Sequence, residues 1–155
     1  MQDDPRRAAR TTIGLAAGGT GGHLFPAEAL ARELQARGHE VVVYTEERGA
    51  RFTRALEGLP HLVLPARSLA GGIGGKLAAA AVILRAATRA RADMKRRGVA
   101  LVAGFGGYPS FAPALAARTL GLPLLIHEQG SRLSLANRQL LRFADRVATS
   151  FADTG

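Results

Sequence analysis

Thr12-Ile-Gly-Leu-Ala-Ala-Gly-Gly-Thr-Gly-Gly-His-Leu-Phe-Pro26 is the segment most indicative of the architecture, because in it a short apolar strand leads through closely spaced glycines into a helix. Four glycines between Gly18 and Gly22 let the backbone adopt conformations that other residues avoid, so its N–H groups can approach an anion. The N-terminus of the following helix adds partial positive charge. This pattern favours a phosphate or diphosphate ligand; the alternative is a tight strand-to-helix turn that binds nothing.

Short apolar runs alternate with longer helical patterns along the rest of the chain. The runs are continuously apolar and a helix joins each one to the next, which predicts a parallel sheet with helices on both faces. The fold class is therefore α/β and Rossmann-like. The predicted strands are 12–16, 41–44, 61–64, 99–103, 122–126 and 146–150, and the predicted helices are 26–37, 51–57, 76–97, 110–120 and 134–143.

Three loops follow strands of this predicted sheet and carry the candidate site. Ligands of such sheets bind outside the C-terminal ends of the strands. We name these segments the first loop (17–23), the second loop (104–110) and the third loop (127–134). His23, at the mouth of the first loop, could hydrogen-bond a phosphate or accept a proton near neutral pH, or it could serve only as a polar helix-entry residue.

The second and third loops place aromatic and polar side chains at strand ends. The second loop, Gly104-Phe-Gly-Gly-Tyr-Pro-Ser110, repeats the glycine pattern, and Ser110 is predicted to cap the helix after it. Tyr108 could line a sugar-sized pocket or pack in the core. The third loop opens with His127-Glu-Gln-Gly130. Because burying polar groups without partners is costly, a site for hydroxyls or a general base explains this run better than sheet packing does.

Composition and motif tests exclude several classes of protein. The chain has 155 residues, enough for one domain with a core but too few for two, and its 47% apolar content excludes a disordered basic tail. The absence of cysteine excludes disulfides, a thiolate nucleophile and Cys-ligated metals. The dinucleotide pattern would need glycine where Leu24 or Thr20 stands. The Walker A pattern would need glycine at Ala70 and Ser or Thr at Leu77.

The formal net charge of +9 is concentrated in part of the chain. Residues 67–97 hold eight basic residues against Asp93 alone, whereas residues 28–57 hold five arginines against six glutamates. This excess favours an acidic partner. We expect no nucleic-acid partner, because aromatic residues make up only 5% of the chain and no helix-turn-helix, zinc-finger or RNA-recognition pattern is present.

A helical wheel of residues 76–97 gives the basic segment two faces. Arg85, Arg89 and Arg96 share one of them. A core-facing helix with a solvated basic side is one interpretation, and a peripheral contact with an anionic membrane surface is the other. The opposite face, predicted to meet the core, consists of Leu77, Ala80, Ile83, Leu84, Ala87 and Met94.

Together, the three loops resemble the N-terminal half of the MurG family of peptidoglycan glycosyltransferases. The matching residues are Gly18-Gly-Thr-Gly-Gly-His-Leu-Phe-Pro26, the second loop, and His127-Glu-Gln-Gly130 followed by Asn137. These enzymes transfer N-acetylglucosamine from UDP-N-acetylglucosamine (UDP-GlcNAc) to lipid I, which is undecaprenyl-pyrophosphoryl-MurNAc-pentapeptide. The resemblance implies one half of a GT-B enzyme, inverting chemistry, and no cofactor or metal.

The resemblance also implies an organisation and a location. Residues 11–155 would form the acceptor-binding N-terminal domain after a flexible tail, 1–10. The donor-binding C-terminal domain is absent from the chain and would come from a longer enzyme or from a separate chain, so we expect this chain alone to be inactive. The implied location is the cytoplasmic face of the cell membrane, with peripheral attachment.

Roles for individual residues follow from the same resemblance. His23 matches a histidine near the reacting groups, and Glu128 matches a residue of the acceptor cleft. In the implied reaction these two residues are the candidate bases for the proton of the acceptor hydroxyl. Contacts with the donor and its diphosphate correspond to Gly19, Thr20, Gly21, Gly22 and position 130, and the acceptor cleft corresponds to Gly106, Gly107, Tyr108, His127, Gln129 and Asn137.

Gly130 departs from the family pattern, which usually has at this position an asparagine that binds the donor sugar. The missing amide removes a hydrogen bond worth about 0.5–1.5 kcal/mol, and Ser131 is the candidate to replace it. This departure keeps a second hypothesis open. The chain would then be a non-catalytic relative that binds lipid-linked or phosphorylated ligands.

Overall fold

Six parallel strands form one sheet in the computed structural model, which describes residues 10–68 and 72–154. In chain order they are β1 (Thr12–Ala16), β2 (Glu40–Thr45), β3 (His61–Val63), β4 (Val99–Gly104), β5 (Leu124–Glu128) and β6 (Arg146–Thr149). Within the sheet their order is β3-β2-β1-β4-β5-β6. The predicted α/β class and parallel sheet are confirmed.

Helices cover both faces of this sheet. They are α1 (Gly21–Ala36), α2 (Glu47–Ala50), α3 (Thr53–Leu56), α4 (Ile73–Arg97), α5 (Phe111–Thr119) and α6 (Leu135–Leu140), with 3₁₀ turns at Tyr108–Ser110 and Leu141–Phe143. Val42 and Tyr44 of β2 pack in the core under α4 and α5, whereas Val41 and Val43 pack under α1 and α3. Because successive side chains of a strand point to opposite faces, a doubly covered strand is apolar at every position.

The start of α1 differs from the predicted one. The helix begins at Gly21 rather than at Pro26, because Thr20 is extended and the glycines of the first loop form the first helical turn. Proline favours the first turn of a helix, which suggested the later start, but Pro26 lies inside the helix. The glycine motif therefore supplies the helix N-terminus itself.

Two other boundaries show how local side chains set the helix ends. The predicted helix at 51–57 is replaced by two short helices, α2 and α3. The Glu46 side chain caps the first of them by accepting hydrogen bonds from the N–H groups of Arg48 (2.9 Å) and Gly49 (3.0 Å). α4 ends before Gly98, which adopts the left-handed conformation at φ +64°. Many helices end in this way, and a glycine at this position predicts it.

The predicted core face of α4 is partly wrong. Leu77 and Leu84 are 68% and 59% exposed, and Ala80 is exposed as well. Small residues carry the contact instead, since they let the helix approach the sheet and α5 closely. The residues of α4 that are buried are Ala79, Ala86, Ala87, Ala90, Asp93 and Met94.

The predicted flexible tail, 1–10, lies outside the described residues except for Arg10. The guanidinium of Arg10 donates a 2.6 Å hydrogen bond to the carboxylate of Glu40 at the start of β2. Within the described ranges, no helix combines the length and the apolar content that crossing a bilayer would need.

Candidate functional site

The three loops meet at the C-terminal edge of the sheet. Ala16 at the end of β1 lies beside Gly104 of β4, and Gly104 lies beside Ile126 of β5. The chain leaves β1 toward β2 on one side and returns in β4 on the other side. Sheets of this kind open a ligand crevice at such a reversal.

The first loop presents backbone donors at this crevice. Gly19 adopts φ +84°, and a Cβ on Gly18 would lie 3.0 Å from a side chain of β2, so both positions favour glycine. Thr20 is exposed and extended, and its hydroxyl makes no capping bond to α1. The N–H groups of Gly21 and Gly22 lie in the first turn, where a helix offers them no internal acceptor. This arrangement suits a diphosphate.

The ring of His23 rests on the second loop. A Cβ on Gly106 would lie 3.3 Å from both Cε1 and Nδ1 of His23, and a Cβ on Gly107 would lie 3.3 Å from its Cδ2. Both glycines have positive φ, +91° and +75°. Nδ1 of His23 is also 2.6 Å from the side-chain Nε2 of Gln129 in the third loop. His23, at the end of the first loop, therefore contacts both the second loop and the third loop.

Glu128 organises the third loop from a buried position. It is 2% exposed, and its carboxylate accepts hydrogen bonds from the N–H of Gly130 (3.0 Å), the N–H of Ser134 (2.8 Å) and Nδ2 of Asn137 (2.9 Å). Burial raises the pKa of this carboxyl, but the hydrogen bonds from Ser134, Gly130 and Asn137 outweigh it and lower the pKa below its usual value. The Glu128 carboxylate is therefore an anion whose oxygens accept hydrogen bonds from within the third loop and from Asn137.

Asn137 and His127 extend this network. Asn137 is fully buried, and its Nδ2 donates a second hydrogen bond, of 3.0 Å, to the backbone oxygen of His127. The His127 ring packs at 5.2 Å between centroids against Phe105, and its Nε2 lies 3.5 Å from the hydroxyl of Ser150. Because Asn137 is closed off from solvent, it holds the loop and does not form part of the cleft surface.

Ser110 occupies the N-cap position of α5 as predicted, but its side chain makes no capping hydrogen bond. Its hydroxyl is fully buried and lies 2.8 Å from the backbone oxygen of Gly106 and 3.2 Å from that of Ala16. The side chain therefore ties the second loop to the end of β1, next to the first loop. A serine after a glycine-rich turn favours a cap, and nothing in the local sequence indicates this longer-range bond.

Two further predicted positions lie on the same edge. Tyr108 is half-buried at the start of a 3₁₀ turn. At Gly130 a Cβ would lie 3.2 Å from Oε1 of Glu128 and 3.3 Å from the backbone oxygen of Arg132. A larger residue therefore fits there only after a shift of a few tenths of an ångström.

The three arginines predicted to share one face of α4 have different surroundings. Arg85 is exposed. Arg89 lines a cavity of about 450 Å³ together with Arg67 and Glu46. Arg96 forms an ion pair with Asp93 of its own helix. All three residues are exposed, and their spacing places them on one side of α4.

Asp93 is a buried group that the sequence analysis did not single out. It is 3% exposed and accepts hydrogen bonds from the Tyr44 hydroxyl (3.1 Å) and from Nε of Arg97 (2.9 Å), besides its ion pair with Arg96. Its isolation among eight basic residues was the available signal. In the described part of the chain, no three His, Asp or Glu side chains are grouped so that they could hold a metal ion.

Comparisons with known proteins agree with this geometry. A family model described as the glycosyltransferase family 28 N-terminal domain matches residues 13–149. A relative from Rhodospirillum centenum, named UDP-N-acetylglucosamine--N-acetylmuramyl-(pentapeptide) pyrophosphoryl-undecaprenol N-acetylglucosamine transferase, is 49% identical over 91% of this chain. A relative of the same name from Acidiphilium cryptum is 43% identical over 96% of this chain. The chain spans 37% and 42% of these two relatives.

Solved structures of glycosyltransferases are also similar to this chain. The crystal structure of MurG from Acinetobacter baumannii superposes with a TM-score of 0.80 at 39% identity, covering 94% of this chain and 43% of that one. The Streptomyces glycosyltransferase SsfS6, at 23% identity and a TM-score of 0.62, covers 84% of this chain and 42% of its own and shares the fold.

Proposed function

This chain belongs to glycosyltransferase family 28, and we propose that it is the acceptor-binding domain of an enzyme that transfers N-acetylglucosamine from UDP-GlcNAc to lipid I. The support comes from relatives named for this transfer, which match almost the whole chain. The chain spans about two fifths of their length, so a donor-binding half would complete the site. The observation that carries the proposal is the position of His23, beside the free N-terminus of α1 and in contact with the second and third loops.

The reaction joins a hydroxyl oxygen of the muramyl acceptor to the anomeric carbon of the donor sugar. The bond from that carbon to the UDP diphosphate breaks, and the hydroxyl proton passes to a base. His23 fits the base better than Glu128 does, because the Glu128 carboxylate is buried and accepts three hydrogen bonds. The N–H groups of Gly21 and Gly22 would stabilise the departing diphosphate. The proposal requires no metal or other cofactor.

Six other predicted site residues fall into three groups. Tyr108 and His127 are partly accessible and are proposed to contact the acceptor. Glu128 and Asn137 are buried and are proposed to act by holding the third loop in place. Gly106 and Gly107, predicted to bind the acceptor, are proposed mainly to support the His23 ring.

Peripheral membrane attachment is proposed at the start of α4, on the cytoplasmic face. Ile73, Leu77 and Leu84 are 82%, 68% and 59% exposed and lie on one side of the helix, over a length of about 16 Å. α4 connects the end of β3 to the start of the parallel strand β4, so it runs opposite to the strands. It therefore begins at the edge of the sheet where the strands end and the three loops meet. Arg85 follows this apolar surface directly and could attract anionic lipid.

Vesicle sedimentation tests the attachment. We expect the chain to bind vesicles that contain anionic phospholipid, and Leu77→Ser with Leu84→Ser to weaken binding at least tenfold. Val147→Thr, which changes a 46% exposed residue on β6, is the matched control. Equal binding by the double variant and the control would contradict the proposed attachment surface.

Separate titrations test the acceptor-domain proposal. We expect the chain to bind a soluble lipid I analogue in calorimetry, to bind UDP-GlcNAc too weakly to detect, and to show no transfer by itself. Turnover by the purified chain alone would contradict the proposal that a separate half binds the donor.

The role of His23 as the base is tested in an enzyme in which the chain is joined to the C-terminal half of the Rhodospirillum centenum relative. His23→Ala should then lower turnover by about 100-fold or more, whereas the exposed His61→Ala should not.

A second candidate function is a non-catalytic module that binds lipid-linked or phosphorylated ligands, and Gly130 favours it. Binding of inorganic diphosphate without binding of the lipid I analogue would support this function. Gly130→Asn in the joined enzyme tests the same point, because a gain in donor affinity would show that the missing amide limits donor binding.

A further inference from the structure

The hydrogen bond between Gln129 and His23 determines what His23 can do. A neutral imidazole carries its hydrogen on one ring nitrogen and accepts a proton only at the other. Nδ1 of His23 lies 2.6 Å from the side-chain amide of Gln129, so the amide atom beside Nδ1 selects the tautomer. Among the residues that the structure describes, Gln129 is the side chain that hydrogen-bonds to His23.

The two orientations of the amide give opposite results. With Nε2 of Gln129 next to Nδ1, the amide donates, the hydrogen of the imidazole sits on its own Nε2, and His23 can only donate there. The other atom of the amide, Oε1 here, is buried without a partner in the described part of the chain, so the contact with His23 alone distinguishes the two orientations. A half-turn of the terminal amide torsion, which is broad and roughly two-fold, brings Oε1 to Nδ1 as an acceptor.

The second loop fixes the plane of the imidazole ring, and the hydrogen bond to Gln129 distinguishes its two flipped positions. The ring lies against Gly106 and Gly107, neither of which has a side chain that could compete for Nδ1. A ring turned by half a rotation would place Cδ2 beside Gln129 and lose the hydrogen bond. Gly106 and Gly107, which we call the glycine shelf, and the amide of Gln129 together therefore determine which atom lies beside Nδ1 of His23.

We propose that Oε1 of Gln129 accepts the Nδ1 hydrogen of His23 in the reactive state, which makes Gln129 a positioning residue that keeps Nε2 of His23 free to act as the base. The inference rests on the proposed function for the identity of the reaction. As the acceptor oxygen bonds to the anomeric carbon, its proton moves to Nε2, and the imidazolium keeps its Nδ1–H bond to Gln129. The proton then passes to water when the products leave.

Nitrogen NMR of the chain measures this tautomer directly. In ¹⁵N-labelled protein at a pH where the imidazole is neutral, we expect His23 to show a protonated Nδ1 and an unprotonated Nε2. Gln129→Leu should shift it to the tautomer with hydrogen on Nε2, and Gln129→Glu should keep hydrogen on Nδ1, because a carboxylate only accepts. A wild-type His23 with hydrogen on Nε2, or no change in Gln129→Leu, would overturn the proposal.

Two controls separate positioning from folding and from contact with the acceptor. Gln35→Leu, the same substitution on the far part of α1, should leave the His23 signals unchanged. Unchanged signals from the other three histidines in Gln129→Leu would show that the fold is intact. A tenfold loss of affinity for the lipid I analogue in Gln129→Leu would assign Gln129 to acceptor contact instead of positioning. If the wild-type chain binds no acceptor, the proposed function fails while the tautomer result still stands.

Discussion

Replacing Glu128 by glutamine tests whether a buried carboxylate holds the third loop together. The carboxylate accepts three hydrogen bonds, from the N–H groups of Gly130 and Ser134 and from Nδ2 of Asn137. Hydrogen bonds to a charged group contribute about 1.5–3 kcal/mol each, roughly 1 kcal/mol more than neutral ones. Glutamine loses the charge and sets its own N–H₂ against a donor, so we expect a loss of about 3 kcal/mol in the free energy of unfolding.

Urea unfolding followed by circular dichroism measures this loss. In a chain of this length it corresponds to a fall in Tm of about 6–12 °C. Glu57→Gln, at an exposed glutamate after α3, is the matched control and should stay within about 0.5 kcal/mol of the wild type. A Glu128→Gln variant as stable as this control at pH 7 would refute the reasoning.

The pH dependence of the same variant gives an independent check. The pKa of Glu128 is lowered in the folded chain, so its contribution to stability is complete above its unfolded pKa of about 4.3. The contribution is lost as the pH falls through the lower folded value. The stability difference between wild type and Glu128→Gln should therefore be largest near pH 7 and shrink below about pH 4. A constant difference across this range would refute the role of the charge.

Three further substitutions test other contacts. Gly106→Ala combines φ +91° with a Cβ 3.3 Å from the His23 ring, so we expect urea unfolding to show a loss of about 1–2 kcal/mol. Gly74→Ala, in open space on α4, should be neutral or stabilising, and equal losses in the two would contradict the contact. Asp93→Asn weakens a buried anion that accepts from Tyr44 and two arginines, and thermal melts should show a loss of about 2–3 kcal/mol. Ser110→Ala should cost about 1 kcal/mol and speed amide hydrogen exchange in the second loop, where unchanged exchange would argue against the tie to β1.

The sheet could be predicted from the sequence because its signal is local. Continuous apolar runs such as Val41-Val-Val-Tyr44, separated by helical patterns, identify strands that are covered on both faces. The ends of the strands then place the three loops on one edge without further information. The start of α1 was less predictable, since Pro26 suggested a later first turn than the one that the glycines form. The buried face of α4 was also less predictable, because the large side chains Leu77 and Leu84 are exposed and small residues are buried instead.

The positions of the site residues followed from the sequence, but their contacts did not. The motifs placed His23 and Gln129 at the same edge of the sheet, and in the structure their side chains lie 2.6 Å apart. Whether a carboxylate is free or engaged depends on donors that arrive from other segments, such as Asn137, and no spacing rule gives that. The division between candidate base and loop organiser therefore needed the fold.

The glycine shelf under His23 has an evolutionary consequence. Gly106 and Gly107 make room for an imidazole, so a larger residue at either position strains the backbone and requires the histidine ring to shift by a few tenths of an ångström, whether or not a ligand is bound. Selection on the histidine therefore extends to two positions more than eighty residues away in the chain. Among relatives that lose the histidine, we expect the two glycines to be replaced only afterwards, once the ring no longer occupies the space beside them.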